Sequence, residues 1–168
     1  MDVLVGYATV HGSTRETAGR VAAGLAEAGL RVEARDLRTV DDADAYAAFV
    51  LGSAVHGQTW LEPAKDFVRD NLDLLGARPL WIFSVGMPAA LRGPWRRLAP
   101  REASVIVESL PGELVPREHA LFSGVIAPAH LPLTGQIMFR LVGGRFGDYR
   151  DWDAVDGWTA RIAEVLTR

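Results

Sequence analysis

The chain contains no cysteine among its 168 residues. This absence excludes disulfides, thiolate zinc sites, cysteine-ligated iron–sulfur clusters and every mechanism that depends on a cysteine nucleophile. Lysine is almost absent too, since Lys65 is the only one. We attribute the bias toward arginine to genome composition, although arginine binds carboxylates in a different geometry from lysine.

A strong charge of one sign and a long hydrophobic run are also lacking. Eighteen basic residues face 21 acidic ones, a formal net charge of -3, so we expect no nucleic-acid partner. Residues 1–6 (MDVLVG) have neither the basic region of a signal peptide nor an apolar run long enough to span a membrane. We therefore expect a cytoplasmic protein.

The composition is that of a globular protein. Hydrophobic residues make up 49% and charged residues 23%, which excludes a disordered or fibrous chain. The length predicts a single domain over residues 1–168, and we find no internal repeat or long linker.

Short apolar runs alternate with helical patterns, which is typical of β-α-β units and a parallel sheet. Strands are predicted over residues 3–8, 31–37, 49–54, 80–85 and 120–126. Helices are predicted over residues 18–28 and over residues 61–75, with Gly76 as a left-handed cap. A third helix is predicted with Pro100 in its first turn, and a fourth from about Asp153 onward. This order predicts a doubly wound three-layer sandwich, in which ligands bind at the carboxyl ends of the strands.

The turn between the first strand and the first helix has the composition of a phosphate site. Thr9, Ser13 and Thr14 supply hydroxyls, and Gly12 permits a tight turn. The free N–H groups at the start of a helix carry partial positive charge and favour an anion. The residues also allow a purely structural interpretation, in which Ser13 or Thr14 caps the helix.

Other phosphate-binding and catalytic motifs do not fit. Gly6 and Gly12 are one residue too far apart for a P-loop, and Ser13 stands where its lysine belongs. The dinucleotide-binding G-x-G-x-x-G, the serine-hydrolase G-x-S-x-G and the zinc-protease H-E-x-x-H motifs are all missing. The chemistries that depend on them therefore have no support.

Residues 9–14 read TVHGST, which resembles the (T/S)-x-T-G-x-T segment of the flavodoxin superfamily. In that family the segment wraps the phosphate of FMN, and His11 stands here in place of the middle threonine. The resemblance implies a flavodoxin-like αβα sandwich with a five-stranded parallel sheet of order 2-1-3-4-5. It also implies FMN as the cofactor, although other planar phosphorylated ligands are compatible with these residues.

The family holds the flavin ring with the loops that follow the third and fourth strands. In the first of these loops, Gly57 lets the backbone approach a ring and Trp60 can stack on it. The alternatives are that Trp60 is a core residue and His56 a loop or capping residue. The predicted FMN-binding residues are Thr9, His11, Gly12, Ser13, Thr14, Ala54, Val55, His56, Gly57, Trp60, Ser84, Val85, Gly86 and Met87.

A more specific resemblance is to the menaquinone-dependent protoporphyrinogen IX dehydrogenase branch of this superfamily. It rests on residues 52–57 (GSAVHG), 67–68 (FV), 83–85 (FSV), 143–144 (GG) and 148–152 (DYRDW). The segment before Tyr149 is shorter than in the branch, and the loop after the fourth strand is rich in arginine rather than lysine. The resemblance implies oxidation of protoporphyrinogen IX in haem biosynthesis, with a quinone as electron acceptor.

Arginines crowd the segment after the fourth strand. Guanidinium groups bind carboxylates in bidentate fashion and stack on aromatic planes, which suits a flat tetrapyrrole with two propionates. The predicted substrate-binding residues are Arg92, Trp95, Arg96 and Arg97, with Arg101 nearby. The alternative is an exposed helix start whose charges pair with neighbouring carboxylates.

Residues 131–142 form an apolar segment in which Arg140 is the only charged residue. It is too short to span a bilayer. As a helix it would pack on the sheet, which we favour, or touch a membrane surface.

The patterns together predict an FMN-dependent oxidoreductase that acts on a small molecule and passes electrons to a quinone or a redox protein. The alternative is a flavodoxin-type electron carrier with an acidic docking face, against which the weak net charge and the arginines argue. A third hypothesis is a domain that kept the fold without tight FMN binding, because His11 removes one hydroxyl. The oligomeric state stays open.

Overall fold

The computed structural model describes residues 1–86, 99–141 and 143–168, with side chains omitted for 99–103. The strands in this part of the chain are β1 (Asp2–Ala8), β2 (Arg31–Asp36), β3 (Ala48–His56), β4 (Thr59–Trp60), β5 (Leu80–Gly86), β6 (His119–Ser123), β7 (Val125–Ile126) and β8 (Gly147–Asp148). The helices are α1 (Ser13–Glu27), α2 (Glu62–Asp70), α3 (Leu72–Ala77), α4 (Ala99–Glu108), α5 (Leu133–Leu141) and α6 (Trp152–Leu166). Five predicted site residues, Met87, Arg92, Trp95, Arg96 and Arg97, lie outside the described residues.

The central sheet has the predicted topology. Its parallel strands lie in the order β2-β1-β3-β5-β6, which is 2-1-3-4-5 when the parallel strands alone are counted, and β4 pairs antiparallel with the end of β3. The inner strands β1, β3 and β5 are mostly buried, because helices cover both faces of the sheet. The more exposed β2 lies at the edge, as its alternating pattern indicates.

Two hydrophobic cores sandwich the sheet because successive side chains of a strand point to opposite faces. Leu4 belongs to the core that α2, α3 and α4 cover, whereas Val3 and Val5 belong to the core beneath α1 and α6. The three layers place the first strand-to-helix turn at the carboxyl edge of the sheet, where ligands bind in this class of fold.

The predicted helix over residues 61–75 is two helices. Asn71 leaves the helical conformation, with φ -123° and ψ 24°, and its side-chain amide donates to the carbonyl of Phe67 at 2.8 Å. An asparagine that bonds to the backbone competes with continuation of the helix. The second helix then runs to Ala77, so Gly76 is helical and the prediction of a left-handed cap there was wrong.

The predicted strand over residues 120–126 is also interrupted, at Gly124. Its first part, β6, pairs with β5, and its second part, β7, pairs antiparallel with β8 in a separate two-stranded sheet. The carbonyl of Gly124 accepts a hydrogen bond from the N–H of Tyr149 at 3.3 Å. This break turns the chain across the carboxyl edge of the main sheet.

Candidate functional site

A cavity of about 310 Å³ opens at the carboxyl ends of β1, β3 and β5. The strand order reverses between β1 and β3, and this switch point is where open α/β sheets bind ligands. The predicted residues that line the cavity are Thr9, His11, Ser13, Thr14, Ala54, Val55, His56, Gly57, Val85 and Gly86. Its other lining residues are Val10, Gly124, Val125, Ile126, His130 and Leu131.

The turn at residues 9–14 presents the start of α1 to this cavity. Gly12 has φ 95°, a left-handed conformation that favours glycine, and its N–H donates to Thr9 Oγ1 at 2.9 Å. The first intrahelical bond runs from the Glu16 N–H to the Gly12 carbonyl at 3.0 Å. The N–H groups of residues 13–15 have no acceptor within the helix, which is the arrangement that binds phosphate.

The alternative that Ser13 or Thr14 caps α1 was wrong. Gly12 occupies the capping position, and no side chain caps this end. The hydroxyl of Ser13 instead accepts a hydrogen bond from the Val125 N–H at 3.2 Å. Ser13 therefore ties the start of α1 to the connection between β6 and β7.

Gly124 allows the start of α1 and the connection between β6 and β7 to approach each other. A Cβ atom at this position would lie 2.9 Å from Val85 Cγ1 and 3.4 Å from Ser13 Cβ. A side chain at this position would have to displace Val85, whose side chain lines the cavity. Gly124, Val125 and Ile126 were not among the predicted site residues, although a glycine inside a predicted strand is a signal of close backbone approach.

The loop after β3 is a tight hairpin that brings backbone to the cavity. Gly57 and Gln58 have φ values of 57° and 65°, the positive pair that a type I′ turn requires. The hairpin pairs His56 with Thr59 and Val55 with Trp60. His56 is exposed at the rim, and the end of β3 forms one wall.

The predicted stacking role of Trp60 was wrong. Its side chain is 1% exposed and packs in the core beneath α2 and α4, and its Nε1 donates to Ser84 Oγ at 2.7 Å. Ser84 is completely buried between Trp60 and His119 Nε2, so it does not face the cavity either. The hairpin is responsible, because it folds Trp60 back against the sheet.

Ser84→Ala is expected to destabilise the protein by about 1–3 kcal/mol and to change FMN affinity less than about threefold, because it leaves the buried Trp60 indole without its acceptor. Urea unfolding and an FMN titration measure the two effects. In a Trp60→Phe background the same substitution should cost less. An equal cost in both backgrounds, or a large loss of FMN affinity, would contradict the assignment of Ser84 to the core.

Three histidines gather at the cavity. The rings of His11 and His130 stack with centroids 3.9 Å apart and planes 7° apart. His130 Nδ1 accepts a hydrogen bond from the Ala127 N–H at 3.3 Å, which orients the ring. Desolvation, then the charges of His130 and His56, lower the pKa of His11. His130 was not among the predicted site residues, because it lies in no recognisable motif.

The lowered pKa of His11 predicts a pH effect on the stability of the FMN-free protein. Below about pH 6.5 the unfolded chain takes up a proton at this position that the folded protein resists, so stability is lost as the pH falls. His11→Asn should therefore reduce the loss of unfolding free energy between about pH 7 and about pH 5. Urea unfolding at both values tests this, and an unchanged difference would count against it.

The lining of the cavity has no carboxylate among the described residues. No group of three or more metal-binding side chains occurs in the ranges that the structure describes. The walls are mainly apolar side chains and backbone, with a helix N-terminus at one end. This arrangement suits a flat ligand that carries an anionic group.

Comparisons with known proteins agree with this geometry. The chain is 22% identical over 179 aligned residues to a protoporphyrinogen IX dehydrogenase [quinone] of Escherichia coli strain K12, covering 100% of this chain and 98% of the relative. A flavodoxin of Pseudomonas aeruginosa with one cysteine replaced by serine superposes with a TM-score of 0.62 at 20% identity, over the whole of both chains. Flavodoxin 1 of Bacillus cereus has a TM-score of 0.58 at 15% identity, with 98% of each chain covered.

The family assignment rests on the sequence as well as the fold. Residues 4–151 match the family described as flavodoxin domain. This range includes the turn at residues 9–14 and every described segment that lines the cavity. Proteins of this family bind FMN. The chain belongs to the flavodoxin domain family.

Proposed function

We propose that the chain is an FMN-dependent oxidoreductase that oxidises protoporphyrinogen IX and passes the electrons to a quinone. The observation that carries the redox assignment is the cavity at the switch point, with a helix N-terminus at one end and apolar walls. The substrate assignment rests on the full-length similarity to the Escherichia coli dehydrogenase.

The residues of the cavity suit the two ends of FMN. The N–H groups of residues 13–15 and the left-handed Gly12 would hold the phosphate. The ends of β3 and β5, with Gly57 and Gly86, would hold the ring where backbone can come close to it. Bound flavin accepts a hydride or single electrons, so the chain need supply no catalytic acid or base.

The substrate would reach the flavin from the open side of the cavity. The described lining contains His11, His56 and His130, whose ring N–H groups can donate hydrogen bonds to carboxylates. Arg92, Trp95, Arg96 and Arg97 remain predicted contacts for the propionates. Conversion of the porphyrinogen to the porphyrin removes six electrons, which corresponds to three two-electron turnovers of the flavin.

An electron carrier is the second candidate, and the structural similarity to flavodoxins over their whole length supports it. Such a carrier would dock on redox proteins and have no small-molecule substrate. The weak net charge of -3 and the arginines that follow β5 in the sequence argue against the acidic docking face that such a carrier would use, which favours the dehydrogenase.

Visible absorbance tests both candidates in one cuvette. The purified protein is loaded with FMN, and protoporphyrinogen IX is added under nitrogen, first without an acceptor and then with a menaquinone analogue. If the protein is the dehydrogenase, the flavin bands should bleach when substrate is added without the acceptor. Porphyrin fluorescence should then rise when the menaquinone analogue is added. Bands that persist would favour the electron carrier, and a protein that binds no FMN would contradict both.

A further inference from the structure

Two histidine rings bring separate segments of the chain together at the cavity. His11 belongs to the turn before α1, and His130 ends the 3-10 turn Pro128–His130 that precedes α5. Both stacked rings line the cavity, with their centroids 3.9 Å apart. His11 stands where the (T/S)-x-T-G-x-T segment has a threonine, so an ionisable ring replaces a neutral hydroxyl in the phosphate turn.

A backbone hydrogen bond determines which nitrogen of His130 carries the proton. The Ala127 N–H donates to His130 Nδ1 at 3.3 Å, so this nitrogen is an acceptor and the proton of the neutral ring lies on Nε2. A second proton on His130 would break this bond and would place a positive charge against the His11 ring. His11 is therefore the member of the stacked pair that can take up a proton.

The carboxylates beside the start of α1 are already paired. Arg150 binds both Glu16, in the first turn of α1, and Asp148, in β8. The side chain of Arg15 reaches back to the turn, with Nη2 4.0 Å from the position that a Cβ atom of Gly12 would occupy. An anionic ligand at this turn would therefore meet a permanent positive charge, and Glu16 and Asp148 are held by an arginine of their own.

Two other histidines oppose a positive charge on His11 in the FMN-free protein. Burial has the largest effect, followed by the charges of His130 and His56, and together they lower the pKa of His11. A phosphate would act in the opposite direction, because an anion within about 4–6 Å favours the protonated imidazole. Since linkage is reciprocal, protonation of His11 would strengthen phosphate binding by the same factor.

We propose that the stacked pair of His11 and His130 selects the phosphorylated flavin by taking up one proton from solvent, on His11, when FMN binds. The protonated ring would donate to a phosphate oxygen beside the N–H groups of residues 13–15. His130 is a positioning residue, because its stacked ring holds the His11 ring at the turn. The proposal rests on the FMN binding of the proposed function, but on neither its substrate nor its electron acceptor.

Proton uptake makes the affinity for FMN depend on pH. The affinity should rise as the pH falls, by at most about tenfold per pH unit for one proton. The phosphate of free FMN itself takes up a proton near about pH 6, so the effect is measured above that value. Riboflavin has the same ring system without the phosphate, and its affinity should not rise in this way.

Titrations with FMN and with riboflavin at several pH values test the proposal, with flavin fluorescence as the readout and at constant ionic strength. We expect FMN to bind at least about threefold more tightly at about pH 6.5 than at about pH 8.5. Calorimetric titration near about pH 7, in two buffers that differ in ionisation enthalpy, counts the protons taken up. Neither measurement requires substrate or acceptor.

His11→Asn should abolish both the rise in FMN affinity at low pH and the proton uptake. His130→Phe keeps a neutral ring against His11 and should retain both. His56→Asn is the matched control, because it makes the same substitution at another histidine of the cavity, and it should retain both as well. Far-ultraviolet circular dichroism establishes that each variant folds.

FMN binding without proton uptake by the intact chain would overturn the proposal and leave the proposed function standing. The proposal would also be wrong if His11→Asn kept the pH dependence, or if His130→Phe or His56→Asn removed it. An intact chain that binds neither FMN nor riboflavin would contradict the proposed function as well.

Discussion

Ser13→Asp is expected to weaken FMN binding at least about a hundredfold while leaving the folded protein as stable as before, or more stable. A carboxylate in the first turn of α1 interacts favourably with the helix dipole, by about 0.3–1 kcal/mol. The same carboxylate would stand beside the phosphate, and two like charges about 4 Å apart repel by roughly 4 kcal/mol in a site of intermediate dielectric. The aspartate can still accept the hydrogen bond that the Val125 N–H now donates to Ser13.

Quenching of FMN fluorescence on titration with the FMN-free protein measures the affinity, and urea unfolding measures the stability. Ser104→Asp is the matched control, since it adds the same charge at an exposed position of α4. Equal FMN affinity in both variants would contradict a phosphate site at α1. A fall in stability with Ser13→Asp would show that the substitution damages the fold instead.

Gly52→Ala has the largest expected effect on stability, a loss of about 3 kcal/mol or more, because it overpacks the core. Gly52 in β3 pairs with Phe83 in β5, and the Phe83 ring lies across the glycine. A Cβ atom at position 52 would lie 2.0 Å from Phe83 Cζ and 2.3 Å from its Cε1. The ring has little room to move, since it packs against Phe122 and Trp158.

Gly76→Ala provides the contrast in the same urea experiment. Gly76 is helical, in α3, and a Cβ atom there would meet nothing within 4 Å. This substitution should stabilise the protein by about 0.5–1 kcal/mol, because alanine loses less conformational freedom than glycine in a helix. Native-like stability of Gly52→Ala would mean that β3 and β5 can separate around Phe83, contrary to the packing described above.

The sequence alone determined the alternation of strands with helices and the location of the phosphate turn, whereas the order of the strands followed from the family resemblance that residues 9–14 carry. Both depend on local patterns: apolar runs buried on two faces, and the residues 9–14 that follow directly on β1. Because the strands are parallel, the segments that follow β1, β3 and β5 meet at the carboxyl edge of the sheet, and this holds for any side chains in those segments. Most residues of the cavity could therefore be predicted from their position after a strand.

Tertiary structure alone decided which side chains face the cavity and which face the core. The hairpin folds Trp60 back against the sheet, where its indole donates to Ser84, a residue of β5 that lies 24 positions away in the sequence. His130 stacks on His11 although they lie 119 positions apart in the sequence, since the chain crosses the sheet edge after Gly124. In α5 the sequence indicates an apolar helix, but the packing of Phe139 against Phe146 selects the buried side and leaves the other exposed. Local periodicity cannot predict which of these side chains are buried, because contacts between residues distant in sequence determine it.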